Sequence, residues 1–347
     1  MTQRILTGLS WSGLDRVFQQ LEGSIGFMLT LHRVRDNVEH AFDPNGHLSV
    51  SPQFLASAIE LLRERGIEIV SMDEAAARLR RGPKPDDKRF CTITFDDGYT
   101  DNLANAVPVL QAANVPYAIY IASGLVEGSA FLWWEALETL LRERDCITVP
   151  EIFGAAPVPL ETVDQKFAAC RRMLDWASLE HDEHDVQPFI RRLCTRYGMD
   201  VDAVHRGEIM RWDEIAAMSR APLCTIGSHT VGHRALARLE ANEVKDEIVG
   251  GIGALESVTG ERPRHFAYPY GYPEAASTRE FAIAAKLGLE TAVTTRPGML
   301  FADHADHMTA LPRISVNGLY QSMRYFAPLT SGLPTRLKTK LRRLDVA

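Results

Sequence analysis

Short apolar runs of strand length alternate with stretches of helical periodicity along most of this chain, and few architectures accommodate that rhythm. Phe27–Leu31, Glu68–Val70, Cys91–Phe95 and Tyr117–Ile121 read as strands. Between the first two, Ser51 has the chemistry of an N-cap and Pro52 suits the first helical position, with Phe54, Ala58, Leu61 and Leu62 recurring at helical spacing. Gly66 closes that helix; Ser71 opens another, which Gly82-Pro83 breaks, and a third is expected over Ala104–Ala113. The pattern returns as a strand at Leu223–Ile226, a helix over Asn242–Thr259, a strand at His265–Tyr268, a helix over Ser277–Leu287 and a strand at Thr291–Thr294. This β-α-β-α order predicts a parallel sheet, closed or open, with helices outside.

Residues 131–215 interrupt the rhythm. They are charged and helical in pattern apart from Cys146–Val149, and are expected to form a helical insertion over one face. A chain of 347 residues could hold two domains. Because strand-helix units flank the insertion on both sides, one barrel-like domain over 25–330 is the simpler expectation, preceded by a helical segment 1–24 and followed by a basic tail 331–347. Five cysteines stand singly with no CxxC pair, so reduced and mostly buried thiols are expected, not a disulfide framework or a thiolate zinc knuckle. A net charge of -7 argues against nucleic acid as a partner. The N-terminus shows no apolar signal-peptide core and no run reaches membrane-span length, so a cytoplasmic location is expected. In the tail, Arg336, Lys338, Lys340, Arg342 and Arg343 face only Asp345. A solvated terminal helix is the plain expectation, and peripheral contact with an anionic membrane the sharper one. Oligomeric state is left open.

Three segments carry chemistry. In Cys91-Thr-Ile-Thr-Phe-Asp96-Asp97-Gly98-Tyr99 an apolar strand runs into two adjacent carboxylates. Carboxyl ends of parallel strands line active-site faces, and neighbouring carboxylates repel unless a cation or proton neutralises one; Asp-Gly is also an ordinary turn. In Thr225-Ile-Gly-Ser228-His229-Thr-Val-Gly-His233 another strand ends in two imidazoles four residues apart, able to ligate one ion, though a structural pair would look the same. The third, His265-Phe-Ala-Tyr268-Pro-Tyr270-Gly-Tyr-Pro273, opens a strand into a Pro/Gly-rich aromatic loop.

At these three places the chain resembles the polysaccharide deacetylase family, carbohydrate esterase family 4. The likeness spans roughly 25–130 and 210–320 and leaves the insertion unaccounted for. It implies a distorted (β/α) barrel that removes acetyl groups from an N-acetylated sugar. A divalent metal would be held by Asp97, His229 and His233, zinc first, with cobalt, nickel or manganese admitted by the same donors. Asp96 would be the base that activates water, and the Tyr270 backbone N–H would stabilise the oxyanion. Tyr99, Trp133, Trp134, Tyr268 and Tyr270 are candidates to stack on sugar, Tyr99, Tyr268 and Trp134 first; Trp133-Trp134 instead suits a hydrophobic anchor for the insertion. The missing signal peptide favours a nucleotide- or lipid-linked sugar over a mature wall polymer.

Two departures from the family pattern matter. Many members carry an arginine that orients the base where this chain has Ala267; Arg313, in Leu311-Pro-Arg-Ile, is the expected replacement. No histidine follows Leu311 to act as the late general acid. The first strand, Leu29-Thr-Leu-His32-Arg33, resembles that of the poly-N-acetylglucosamine deacetylases, where an early His serves, so the acid role is carried onto His32; His304 and His307 are outside candidates. The alternatives are an ion-independent amide hydrolase on the same fold and a catalytically silent saccharide-binding protein.

Overall fold

A computed structural model describes residues 6, 8, 14–21, 23–36, 40–177, 181, 183–338 and 343–346. Its main sheet is parallel and built from β1 (Gly26–Leu31), β2 (Glu68–Ile69), β3 (Phe90–Phe95), β4 (Tyr117–Ile121), β5 (Cys224–Ser228), β6 (His265–Ala267), β7 (Thr291–Val293) and β8 (Ile314–Ser315). The order is β7-β6-β5-β4-β3-β1-β8, with β2 beside the start of β3. Every residue of β1, β3 and β4 is buried, as a parallel sheet covered on both faces requires.

Register brings the chemistry to one level. β1 and β3 pair along their whole length, from Gly26–Phe90 to Leu31–Phe95, so His32 and Asp96 emerge side by side. The Asp96 N–H donates to the Leu31 carbonyl at 3.0 Å. β4 and β5 likewise end together at Ile121–Ser228, and the His229 N–H donates to the Ile121 carbonyl at 2.8 Å.

Closure of the curled sheet is irregular. Leu311 bridges to Val293 of β7, and three residues later Ile314 pairs with Leu29 of β1. Residues 311–315 therefore touch both edges of the sheet. Between the two contacts lies Arg313, fully buried. The distorted barrel of the sequence expectation is thus an open path of strands joined by one short connecting stretch.

The flanking helices start where their caps predict. Ser51 Oγ accepts the Phe54 N–H at 3.1 Å at the head of α1 (Pro52–Glu64), and Ser71 caps α2 (Met72–Arg81). The expected helix over 104–113 differs: residues Asn102–Ala106 form a π-type turn and only Val107–Ala112 is α-helical. Pro108 has no N–H to give to the Ala104 carbonyl, so the ordinary ladder cannot run through this stretch.

The insertion is mainly helical, through α3 (Trp133–Arg142), α4 (Val163–Asp175), α5 (Glu183–Arg196) and shorter turns. It also holds an antiparallel ribbon pairing Cys146–Ile147 with Val158–Pro159; the second strand escapes sequence reasoning because its proline reads as loop. The insertion has a core of its own around Trp133, Leu137, Leu140, Trp176 and Phe189. All five cysteines are free, with Cys146 exposed, Cys224 half-buried and the other three buried. In the tail, the Arg336 and Arg343 guanidinium groups lie 5.8 and 5.3 Å from the centre of the Phe301 ring, and Asp345 pairs with buried Arg296 at 3.3 Å. Two of the five basic residues thus lie against the barrel; Lys340 and Arg342 lie outside the described residues. No described helix is long and apolar enough to cross a membrane.

Candidate active site

Asp97, His229 and His233 converge. His229 Nε2 lies 3.4 Å and His233 Nε2 3.2 Å from Asp97 Oδ1, and all three side chains are buried. His229 Nδ1 sits 2.7 Å from the Ala267 carbonyl, which can only accept, so Nδ1 carries a proton and Nε2 is the ring nitrogen turned toward Asp97. Asp97 Oδ1 is buried without a hydrogen bond of good geometry. An anionic oxygen facing imidazole nitrogens in a buried pocket is stable only with a proton or cation among them. The donor set, one carboxylate and two imidazoles within 4.8 Å of one another, fits a divalent metal. Burial works against the Asp97 carboxylate, but the two imidazoles outweigh it and hold its pKa well below the usual range.

Asp96 faces a different partner. Arg313 grips it with both ends of the fork, Nη1 to Oδ1 at 2.7 Å and Nη2 to Oδ2 at 2.6 Å, while Thr30 Oγ1 donates to Oδ2 at 3.3 Å. Arg313 is itself fixed by Thr94 Oγ1 at 3.0 Å and the Thr294 carbonyl at 2.9 Å. Burial again opposes the charge, and Arg313 reverses the effect, so Asp96 stays ionised with a lowered pKa. Each of the two adjacent carboxylates therefore has partners of its own, Arg313 for Asp96 and the two imidazoles for Asp97.

These groups open onto a cavity of about 360 Å³. Its polar side carries Thr30, His32, Asp96, Asp97, His229 and His233, and its apolar side Trp133, Trp134, Leu48 and Leu174, so the insertion supplies one wall. His233 is flanked by aromatic rings, with Trp134 at 5.2 Å and Tyr270 at 4.9 Å between centroids. Burial lowers the His32 pKa, against the pull of Asp97 and Asp96, so this imidazole rests neutral. The His32 carbonyl accepts from Asn102 Nδ2 at 2.7 Å. Among the described residues, five non-glycine residues have positive φ, and four of them are Asp97, Thr230, His233 and Tyr270. Left-handed backbone is costly for such residues, and its concentration here marks a site whose geometry the surroundings enforce.

Several of the expected residues lie away from the cavity. Tyr99 is fully buried beneath the wall: Trp134 Nε1–H donates to its hydroxyl at 3.1 Å and Arg33 covers its ring at 4.5 Å, so it supports Trp134 and does not line the cavity. Tyr268 points away into the helical layer, packed on Phe266 and Phe281 with its hydroxyl on the Thr309 carbonyl at 2.9 Å. Alternation along the strand places Phe266 and Tyr268 on one side and Ala267 on the other. His304 is buried against Phe301 and, like His307, does not line the cavity. Sequence reasoning missed Thr30 and Asn102, and also Asn45, whose side chain donates to the Trp134 carbonyl at 2.9 Å and sets the wall. Only Thr30 carried a signal, two positions before His32 on the same strand.

The sequence profile described as Polysaccharide deacetylase matches residues 83–149 and 181–292, together just over half of the chain. The protein YxkH of Bacillus subtilis (strain 168), whose name places it among polysaccharide deacetylases, is 32% identical over 82 residues, which is 24% of this chain and 29% of that relative's length. The Streptococcus pyogenes deacetylase PplD, in complex with acetate, superposes with a TM-score of 0.57 at 16% identity, covering 87% of this chain and 96% of the other. IcaB from Ammonifex degensii gives 0.54 at 18% identity, covering 88% and 98%. The deacetylase domain of BpsB from Bordetella bronchiseptica gives 0.50 at 19%, covering 84% and 95%. At these identities the superpositions establish the fold. With the profile spanning strand-end carboxylates and paired imidazoles alike, the chain belongs to the polysaccharide deacetylase family.

Proposed function

We propose that this chain hydrolyses the acetamide of an N-acetylated sugar, with Asp97, His229 and His233 holding a divalent metal ion. The observation that carries the reading is the meeting of those three donors beside a second carboxylate, Asp96, that has its own arginine. Bound there, a zinc-like ion supplies Lewis acidity and lowers the pKa of water toward neutrality.

The chain's own residues account for the remaining needs of amide hydrolysis. Asp96 is ionised and held in one orientation, so a carboxylate oxygen is ready to take the proton of the attacking water. Arg313 positions that oxygen without touching the substrate. The Tyr270 backbone N–H is assigned to the developing oxyanion, a role worth about 2.7–4 kcal/mol of barrier in comparable sites. The departing amine needs a proton. His32 rests neutral, so the proton it delivers is one received during turnover, and Asp96 is the group that holds it in between. Trp133, Trp134 and Tyr272 offer flat apolar surface to the C–H face of a sugar.

Acetate release from a panel of N-acetylated oligosaccharides and sugar nucleotides, measured before and after chelation and again after adding zinc back, tests the reading. Activity that disappears on chelation and returns with zinc supports it. Undiminished release after complete metal removal would turn the assignment to ion-independent amide hydrolysis, and binding of the sugars without any acetate would leave a saccharide-binding protein.

A further inference from the structure

The backbone between His229 and His233 is held at several points. The Thr230 and Val231 carbonyls accept from the Ser123 and Gly124 N–H groups at 3.1 and 2.9 Å. The Gly232 carbonyl accepts from Gln187 Nε2 at 3.2 Å, and the His233 N–H donates to Thr230 Oγ1 at 3.0 Å. Two further donors, the N–H groups of Val231 and Gly232, both converge on one oxygen, Glu247 Oε2, at 3.0 and 2.7 Å. Glu247 lies in the helix Ala241–Thr259, and its side chain is 13% exposed.

The same helix face comes close to the loop in two further places. A Cβ at Gly250 would stand 2.8 Å from Val231 Cγ2, and one at Gly251 would stand 2.8 Å from the Thr230 carbonyl oxygen. Positions 247, 250 and 251 share a face at spacings of three and four. The loop they brace is the one with left-handed backbone at both Thr230 and His233, a conformation that persists only where its surroundings impose it.

From this we infer that Glu247 is a positioning residue for the metal centre: by accepting two backbone N–H groups, it fixes the strained turn that aims His233 at Asp97. This rests on the proposed metal site. Glu247 stands 14 positions beyond His233 in sequence, bonds the backbone of the loop and acts through its geometry. What matters is an acceptor oxygen at the reach of a glutamate; the negative charge itself is secondary.

Two conservative variants separate those properties. E247Q keeps reach and an acceptor oxygen but loses the charge, whereas E247D keeps the charge and draws the acceptor back by one methylene. The full chain is stripped of metal, and zinc affinity is measured by competition with a chromophoric chelator, alongside the visible spectrum of the cobalt-loaded protein. Circular dichroism confirms that both variants are folded. E247D is expected to lose about 10–100-fold in zinc affinity, the range typical of partners that orient metal ligands, and to show an altered cobalt spectrum. E247Q stays close to the unsubstituted protein in both readouts. Unchanged affinity and spectrum in E247D, or equal losses in E247D and E247Q, overturn the inference. A parent protein that takes up no zinc at all overturns the metal-site reading itself and this inference with it, an outcome distinct from either variant result.

Discussion

Arg313 and Asp96, 217 positions apart in the chain, meet through paired hydrogen bonds of 2.7 and 2.6 Å in a fully buried setting. Removing one partner of such a pair strands a charge, at a cost of about 3–5 kcal/mol. Arg313→Ala should therefore lose roughly that much stability in urea unfolding, and activity should fall with kcat more than with KM. The double variant Arg313→Ala/Asp96→Asn should recover part of the stability but none of the activity. Near-normal turnover in Arg313→Ala would remove Arg313 from its role in orienting the base.

If the neighbours Asp96 and Asp97 divide the work as proposed, substitution should split them. Asp96→Asn keeps all three donors that face one another across Asp97 Oδ1, so zinc uptake should persist while acetate release disappears. Asp97→Ala or His229→Ala should lose both. Zinc titration of the apo-protein, paired with acetate assays, reads both effects. An Asp96→Asn protein that no longer takes up zinc would show that the two carboxylates do not divide the work this way.

The parts of this site written in contiguous sequence were legible in advance. The Asp96-Asp97 and His229/His233 motifs follow apolar strands, and parallel pairing alone puts the ends of those strands on one face. Arg313 could be nominated because the arginine of the family pattern is missing at Ala267 and a basic residue stands in the strand-like Leu311-Pro-Arg-Ile run. The aromatic residues were harder to place. Tyr99, Tyr268 and Trp134 look equivalent in sequence, yet only Trp134 reaches the cavity, because strand alternation turns Tyr268 outward and the insertion buries Tyr99. Asn102 and Glu247 left no trace for a different reason. Each acts by bonding a distant backbone, and an ordinary surface-type residue on a helix or turn carries no local mark of that.

His32 gives a third prediction. If it returns a proton to the amine, His32→Ala should slow amide hydrolysis by about 10²–10⁴-fold. An activated aryl acetate, whose leaving group departs without a proton, should be affected far less. Asn102→Ala leaves the His32 carbonyl without its side-chain donor and should lower kcat on the amide in the same direction, with little change in KM. Equal losses on amide and aryl ester in His32→Ala would point to a purely structural imidazole.

His304 connects the fold to pH. It is fully buried, burial pushes its pKa down to about 4, and its Nδ1 already accepts the Phe301 N–H at 3.1 Å. A proton at that nitrogen would have to break the bond. The unfolded chain, with a histidine pKa near 6.5, binds the proton more readily than the folded one. Stability from this group is therefore fully present above pH 6.5 and is lost as the pH falls toward 4, at about 1.4 kcal/mol per pH unit and roughly 3 kcal/mol across the window. His304→Asn keeps an acceptor for the Phe301 N–H but cannot take up the proton. Urea unfolding between pH 7 and 4 should give a shallower slope for His304→Asn than for the parent protein. Identical slopes would mean that some other group governs acid sensitivity in this range.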